Sequence, residues 1–214
     1  MRHYGFFRSS ASYRLRIGLN LKGIAVDYVP VHLSKGGGEQ FAPAFAKLNP
    51  QNLVPVLEDN GLVLTQSLAI LEYLDETHPE PAILPRDPAG RARVRALAQI
   101  VACDIHPIDN LRVLNYLTNE LKVSEDAKLK WYRHWVALGL ASFEALVANN
   151  PATGRFCHGD SPTIADICLV PQVFNAQRFE CPLDGYPTIL RIHAECQKLD
   201  AFDRARPERQ PDAA

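Results

Sequence analysis

The chain has 214 residues, enough for one large domain or two modest ones with a proper core. It is 47% hydrophobic and 22% charged, an ordinary globular composition, and its net charge of −1 gives no electrostatic pull on nucleic acid or an anionic membrane. No apolar run reaches the roughly 18 residues a membrane helix needs, and MRHYGFFRSS lacks the build of a secretory leader. The five cysteines, at 103, 157, 168, 181 and 196, are odd in number and include no C-x-x-C pair. A disulfide framework and a metal site both fit poorly, and a reducing cytoplasm is the expectation.

Up to about residue 78 the chain alternates strand and helix signals. MRHYGFF reads as a short strand, and SYRLRIGLNLKG, apolar on most sides, as a buried helix stopped by Gly23. AVDYVPVHL alternates and carries Pro30, which suits an edge strand. Gly36 to Gly38 mark a mobile loop before a short helical piece around 39–47. In LVPVLEDNGLVLTQS two strand-like runs flank Asn60-Gly61, a strong hairpin signal, and Ser67 is expected to cap the helix LAILEYLDETHP. The order βαβα followed by ββα predicts a four-stranded mixed sheet with helices packed on it.

PEPAILPRDP, at 79–88, holds four prolines in ten residues and reads as a linker. The expected domains are 1–80, a linker at 81–88, and an all-helical 89–214. A helical pattern runs from Ala89 to about Leu121, kinked by Pro107, with Arg91, Arg93 and Arg95 on its solvated face. From about Glu125 to Asn149 a second helix sets Tyr132, Trp135, Gly139, Phe143 and Leu146 on one core-facing stripe. SPTIADICLVPQVFNAQRF is a third helix, YPTILRIHAECQKL a fourth with Pro187 near its first turn, and RARPERQPDAA a loosely held tail.

FRSSASYRLRI, at 6–16, raises the chemical question. It puts Arg8, Ser9 and Ser10 where a strand stops and a buried helix begins. A helix start offers unpaired N–H groups and a positive dipole end, so an anion is welcome there, but serine is equally an ordinary cap. In CDIHPIDNLRVLNYL, Cys103, His106 and Asn110 fall at i, i+3 and i+7, one face of a helix. A metal would lack a third ligand, and a partly buried histidine beside Pro107 is the plain alternative.

A small βαβ-ββα domain joined by a proline-rich linker to a helical domain resembles the cytosolic glutathione transferases: α/β plus all-α, with a thioredoxin-like first domain. Val54-Pro55 at the head of a strand, Gln66-Ser67 between a strand and a helix, and Thr163-x-x-Asp166, similar to the family's capping box, carry the likeness along nearly the whole chain. RSSASYRLRIGLNLKG resembles the zeta-class signature. CDIHPIDNLRVLNYL and CHGDSPTIADICLVPQVFNAQRF resemble the bacterial maleylacetoacetate isomerases of that class and, only slightly less, the maleylpyruvate isomerases. The class usually has cysteine at the third motif position, where this chain has Ala11.

The resemblance implies a cis–trans isomerase with glutathione as cofactor: its thiolate adds to a conjugated double bond, the bond rotates, and the thiolate leaves. Without a cysteine at position 11, that chemistry must run on glutathione's own thiol. One of Ser9 and Ser10 would donate to the sulfur, Ser9 being favoured, while the other caps or lines the turn; the Ala11 N–H is a second donor. Val54-Pro55 would pair with the cysteinyl backbone, and Gln66-Ser67 would take the γ-glutamyl carboxylate. Arg8 and Arg178 suit the carboxylates of the substrate. His106 and Asn110 would line the cleft wall, touching substrate or glutathione across a two-fold homodimer. Arg112 falls outside this set. The tyrosine and homogentisate breakdown route is expected. Maleylpyruvate isomerase, a conjugating transferase or dehalogenase, and a non-catalytic glutathione-binding module are the alternatives.

Overall fold

The structure is a computed structural model describing residues 1–213. The chain packs as two units. The first comprises residues 1–82 together with those from 198 onward, and the second residues 83–197.

The first unit holds β1 (Arg2–Gly5), α1 (Ser10–Leu21), β2 (Asp27–Pro30), α2 (Pro43–Leu48), β3 (Val56–Asp59), β4 (Leu62–Thr65) and α3 (Ser67–Thr77). The sheet order is β2-β1-β3-β4, with β1 and β2 parallel and the other pairs antiparallel, and Pro30 ends the edge strand β2. Asn60 and Gly61 adopt φ of 48° and 84°, the positive values a tight two-residue hairpin needs. Because side chains alternate along a strand, Val56 joins Phe6, Val31, Phe45 and Val54 in one core cluster, while Leu57 joins Leu15, Leu19, Ile70 and Leu74 in another. Gly18 is required by packing: a Cβ there would stand 2.2 Å from Leu71 Cδ2, so its absence lets α1 lie against α3.

Two charged residues of this unit are buried with their partners. The Lys22 ammonium donates to Asp75 Oδ1 at 2.6 Å and to the carbonyls of His78 and Pro81 at 2.7 and 2.8 Å, which fastens the chain after α3. The Arg16 guanidinium donates to the carbonyls of Ala205 (2.9 Å), Phe7 (2.9 Å) and Phe6 (3.4 Å). That second contact corrects one expectation. A further helix, α9 (Asp200–Arg204), forms near the end of the chain, and Phe202, Ala205 and Pro207 are buried, so the tail is held and belongs with the first unit.

The second unit holds α4 (Pro88–Gln99), α5 (Leu111–Asn119), α6 (Glu125–Val147), α7 (Ile164–Arg178) and α8 (Pro187–Gln197), and no strand among the described residues. The pattern read as one kinked helix is two helices. α4 runs into a wide π-helical turn at Ile100–Ile105, Pro107 cannot supply the N–H that would continue it, and Asn110 starts α5 as its N-cap. Arg93 is not on a solvated face. It donates to the Cys157 carbonyl at 2.6 Å and Thr153 Oγ1 at 2.8 Å. The buried stripe of α6 is Tyr132, Val136, Leu140, Phe143 and Val147, whereas Leu146 is 47% exposed. The Thr163–Asp166 capping box is formed, with Asp166 fully buried and accepting the N–H groups of Thr163 and Cys157, both at 2.8 Å.

Candidate active site

The turn between β1 and α1 is built from backbone outward. Phe6 N–H donates to Ser12 Oγ at 3.3 Å, and the Phe6 carbonyl accepts from Ser9 N–H at 3.0 Å. Arg16 binds the Phe6 and Phe7 carbonyls, and Phe7 N–H donates to Asp212 Oδ2 at 3.0 Å. Ser9, extended at φ −66° and ψ 121°, is the N-cap of α1: its Oγ accepts the Ser12 N–H at 3.2 Å. Of the two serines, Ser9 takes the capping role. A capping serine accepts through a lone pair and keeps its O–H to donate to an anion at the same helix start. Ser10 and Ala11 are buried in the first turn, whereas Ser9 is half-buried and Arg8 exposed. The Arg8 guanidinium lies 5.0 Å from the Phe7 ring centre and 5.8 Å from that of Phe6.

The second candidate anion site of this unit is the start of α3. Gln66, not Ser67, holds the N-cap position, with φ 67° and ψ 113°, a conformation rare for a residue with a side chain. Its side chain makes no cap. Instead Gln66 Nε2 donates to Gln51 Oε1 at 2.8 Å. Ser67 is buried at the first helical position, and its Oγ accepts from Arg14 Nη1 at 3.3 Å. The expectation that Ser67 caps this helix is corrected: the helix begins on it. Val54 and Pro55 are buried at the head of β3, and their peptide bond is cis. Gln51 and Arg14 escaped the sequence reading as site neighbours. The Arg-x-Arg spacing in α1 was the available signal, since a helix buried on most sides has to find partners for both guanidiniums.

In the second unit His106 and Asn110 do not share a helical face, because the helix has ended between them. His106 follows the π turn, its N–H bonding the Val101 carbonyl at 2.9 Å. Asn110 Oδ1 caps α5, accepting from Arg112 N–H (3.0 Å) and Val113 N–H (3.4 Å), which leaves its amide N–H groups for a ligand. Gly139 on α6 seats this turn, since a Cβ there would stand 2.2 Å from Ile105 Cγ1. Arg178 closes α7 with its guanidinium 4.9 Å from the Phe179 ring, and Phe179 stacks on Tyr132 at 3.8 Å. Asp109 is the residue the sequence reading missed. Only 7% exposed, it has no hydrogen-bond partner for either carboxylate oxygen, and burial pushes its pKa up to about 8. Burial likewise raises the Tyr132 phenol, to which the Asp109 charge adds and which Arg178 opposes. Among the described residues no cluster of metal-ligating side chains occurs, and no helix is long and apolar enough to cross a membrane.

The glutathione S-transferase N-terminal domain family matches residues 4–82. The chain is 50% identical to a probable maleylacetoacetate isomerase of Vibrio cholerae over 98% of its own length and 97% of the relative's. It is 51% identical to a maleylpyruvate isomerase of Ralstonia over the whole of both chains. The chain is a zeta-class glutathione transferase. A solved maleylacetoacetate isomerase from Methylobacterium extorquens AM1, with bound malonate and glutathione, is 44% identical, matches all of both chains and superposes with a TM-score of 0.96. The family uses glutathione, and the first unit offers two helix starts where an anion is welcome: one with a capping hydroxyl at α1 and one without a side-chain cap at α3.

Proposed function

We propose that this transferase is a glutathione-dependent cis–trans isomerase acting on a small unsaturated keto dicarboxylate, maleylacetoacetate first and maleylpyruvate as the alternative. The observation that carries the reading is Ser9 Oγ, which caps α1 through a lone pair and keeps its proton for an anion. Bound glutathione supplies a thiolate that adds to the double bond, frees it to rotate and is expelled with the bond trans. Ser9 donates to that thiolate, and the Ala11 N–H and the α1 dipole add to its stabilisation. A free thiol with pKa near 8.5 is mostly protonated at neutral pH, so each unit of lowering is worth about 1.4 kcal/mol.

Gln66 and Ser67 hold the γ-glutamyl carboxylate at the start of α3, and the Val54 backbone pairs with the cysteinyl residue. Arg8 and Arg178 take the carboxylates of the substrate, guanidinium being suited to paired hydrogen bonds. His106 and Asn110 supply further donors to substrate or glutathione, and the enzyme works as a cytoplasmic two-fold homodimer. The exposed Leu62 and Val63 on edge strand β4, at 52% and 44%, support association. The route served is tyrosine and homogentisate breakdown.

The test is the ultraviolet absorbance of each freshly made substrate, followed with and without glutathione. Rapid glutathione-dependent isomerisation of maleylacetoacetate is the expected result, with Ser9→Ala lowering kcat/KM roughly 100-fold, the scale of a lost oxyanion-type donor. Turnover of neither substrate, or full activity in Ser9→Ala, overturns the reading.

A further inference from the structure

The last described residues run against the β1–α1 turn. Asp212 Oδ2 accepts the Phe7 N–H at 3.0 Å, and the Tyr28 hydroxyl donates to both Asp212 oxygens at 3.1 Å. The approach is ordered by the tail itself. Arg209 pairs with Asp203 at 2.8 Å, Gln210 Nε2 donates to the carbonyls of Arg204 (2.9 Å) and Arg206 (2.8 Å), and Pro207 is buried. Arg16 ties the same tail from below through the Ala205 carbonyl while holding the Phe6 and Phe7 carbonyls.

The two site residues of the turn depend unequally on this tie. Ser9 is anchored by α1 itself: its N–H reaches the Phe6 carbonyl, its carbonyl accepts the Tyr13 N–H at 2.8 Å, and its Oγ caps the helix. Arg8 is exposed, and its guanidinium lies over the Phe7 ring, the residue whose N–H the tail holds. We propose that Asp212 is a positioning residue for Arg8: seated on Tyr28, its carboxylate fixes the Phe7 peptide, so the C-terminal tail sets the cation that receives the substrate's carboxylate. This rests on the reading of Arg8 as a substrate-binding residue.

The full-length protein, saturated with glutathione, is titrated with malonate by calorimetry, and glutathione binding is measured separately. Arg8→Ala weakens malonate roughly 30-fold, the scale of a lost charge-assisted hydrogen bond. Asp212→Ala weakens it about five-fold and raises the substrate KM by a similar factor, with kcat and glutathione affinity unchanged, because a small displacement of a binding group has a graded cost. Asp212→Asn, which keeps an acceptor for the Phe7 N–H, restores most of the loss. Tyr28→Phe, which frees the carboxylate without removing it, gives about a two-fold effect and serves if Asp212→Ala does not fold. Weakening by Arg8→Ala with wild-type binding in both Asp212→Ala and Tyr28→Phe overturns the positioning role and leaves the Arg8 reading standing. Unchanged binding in Arg8→Ala overturns the Arg8 reading and the positioning role with it. Equal losses of glutathione and malonate binding in Asp212→Ala also overturn the proposal, since a merely structural defect would give them.

Discussion

Two turns in this molecule bring candidate site residues to the start of a helix, and they are built on opposite principles. Before α1, the N–H and carbonyl groups of Phe6 and Phe7 all have partners, drawn from Ser9, Ser12, Arg16 and Asp212. Before α5, the Asp109 carboxyl is buried with neither oxygen hydrogen-bonded. A fully satisfied turn is pre-organised and insensitive to modest changes in pH. A turn carrying a desolvated acid is held only while that acid stays neutral. The turn before α1 is thus pre-organised by its own hydrogen bonds, and the turn that carries His106 and Asn110 is coupled to a proton.

The largest effect expected comes from breaking the satisfied turn. Arg16→Met would leave the Ala205 and Phe7 carbonyls short of a donor, Phe6 keeping the Ser9 N–H, a cost on the order of 3 kcal/mol from penalties of about 1–3 kcal/mol each, partly offset by removing a buried cation. Urea unfolding at neutral pH measures it, and a loss below about 1 kcal/mol would mean water takes over those carbonyls. Burial lowers the Arg16 pKa to about 10, so the guanidinium is still charged under these conditions.

The next effect is pH-dependent and belongs to the other turn. Unfolded, an Asp carboxyl releases its proton near pH 4; folded, Asp109 holds it to about pH 8. The folded state therefore binds the extra proton between those values, so this contribution is full below about pH 4 and is lost as pH rises through 8. Asp109→Asn should remove up to about 4 kcal/mol of the stability difference between pH 5 and pH 9, about 1.4 kcal/mol for each pH unit from 5 to 8, flattening the profile. An unaltered slope would show that the carboxyl finds solvent in the folded protein.

The fold was readable where local chemistry decides it. The Asn60-Gly61 turn, the Pro30 edge strand and the Thr163–Asp166 box each follow from one or two residues and their immediate neighbours. What escaped was set at long range. Nothing near Asp212 indicates that its partners are Phe7 and Tyr28, 205 and 184 positions earlier. A helical period continues through CDIHPIDN, so the break at 106–110 shows only as Pro107, which is compatible with a kink as well as a stop. Arg93 misled for a related reason: its spacing puts it on a polar face, and only the packed chain supplies carbonyls there. The candidate site divides the same way, Arg8, Ser9 and Gln66 being proposed from strand–helix junctions, and Asp109 invisible because burial without a partner leaves no mark in sequence.

The smallest effect tests the comparison most directly, because the two turns share one device. Ser9 caps α1 and Asn110 caps α5, so Ser9→Ala and Asn110→Ala should each cost about 1 kcal/mol in urea unfolding. On the proposed reading, equal structural cost should accompany unequal loss of activity, since the Ser9 hydroxyl would also donate to the thiolate while the cap oxygen of Asn110 is fully engaged by Arg112 and Val113. Asn110→Asp then separates the remaining possibilities. It keeps the acceptor and improves the charge at a helix start, so stability should hold, but it deletes the amide N–H groups. A raised KM for glutathione or substrate in Asn110→Asp, at wild-type stability, would make the side chain a ligand contact as well as a cap. Unchanged kinetics would leave Asn110 a cap alone and put ligand contact by this turn on His106.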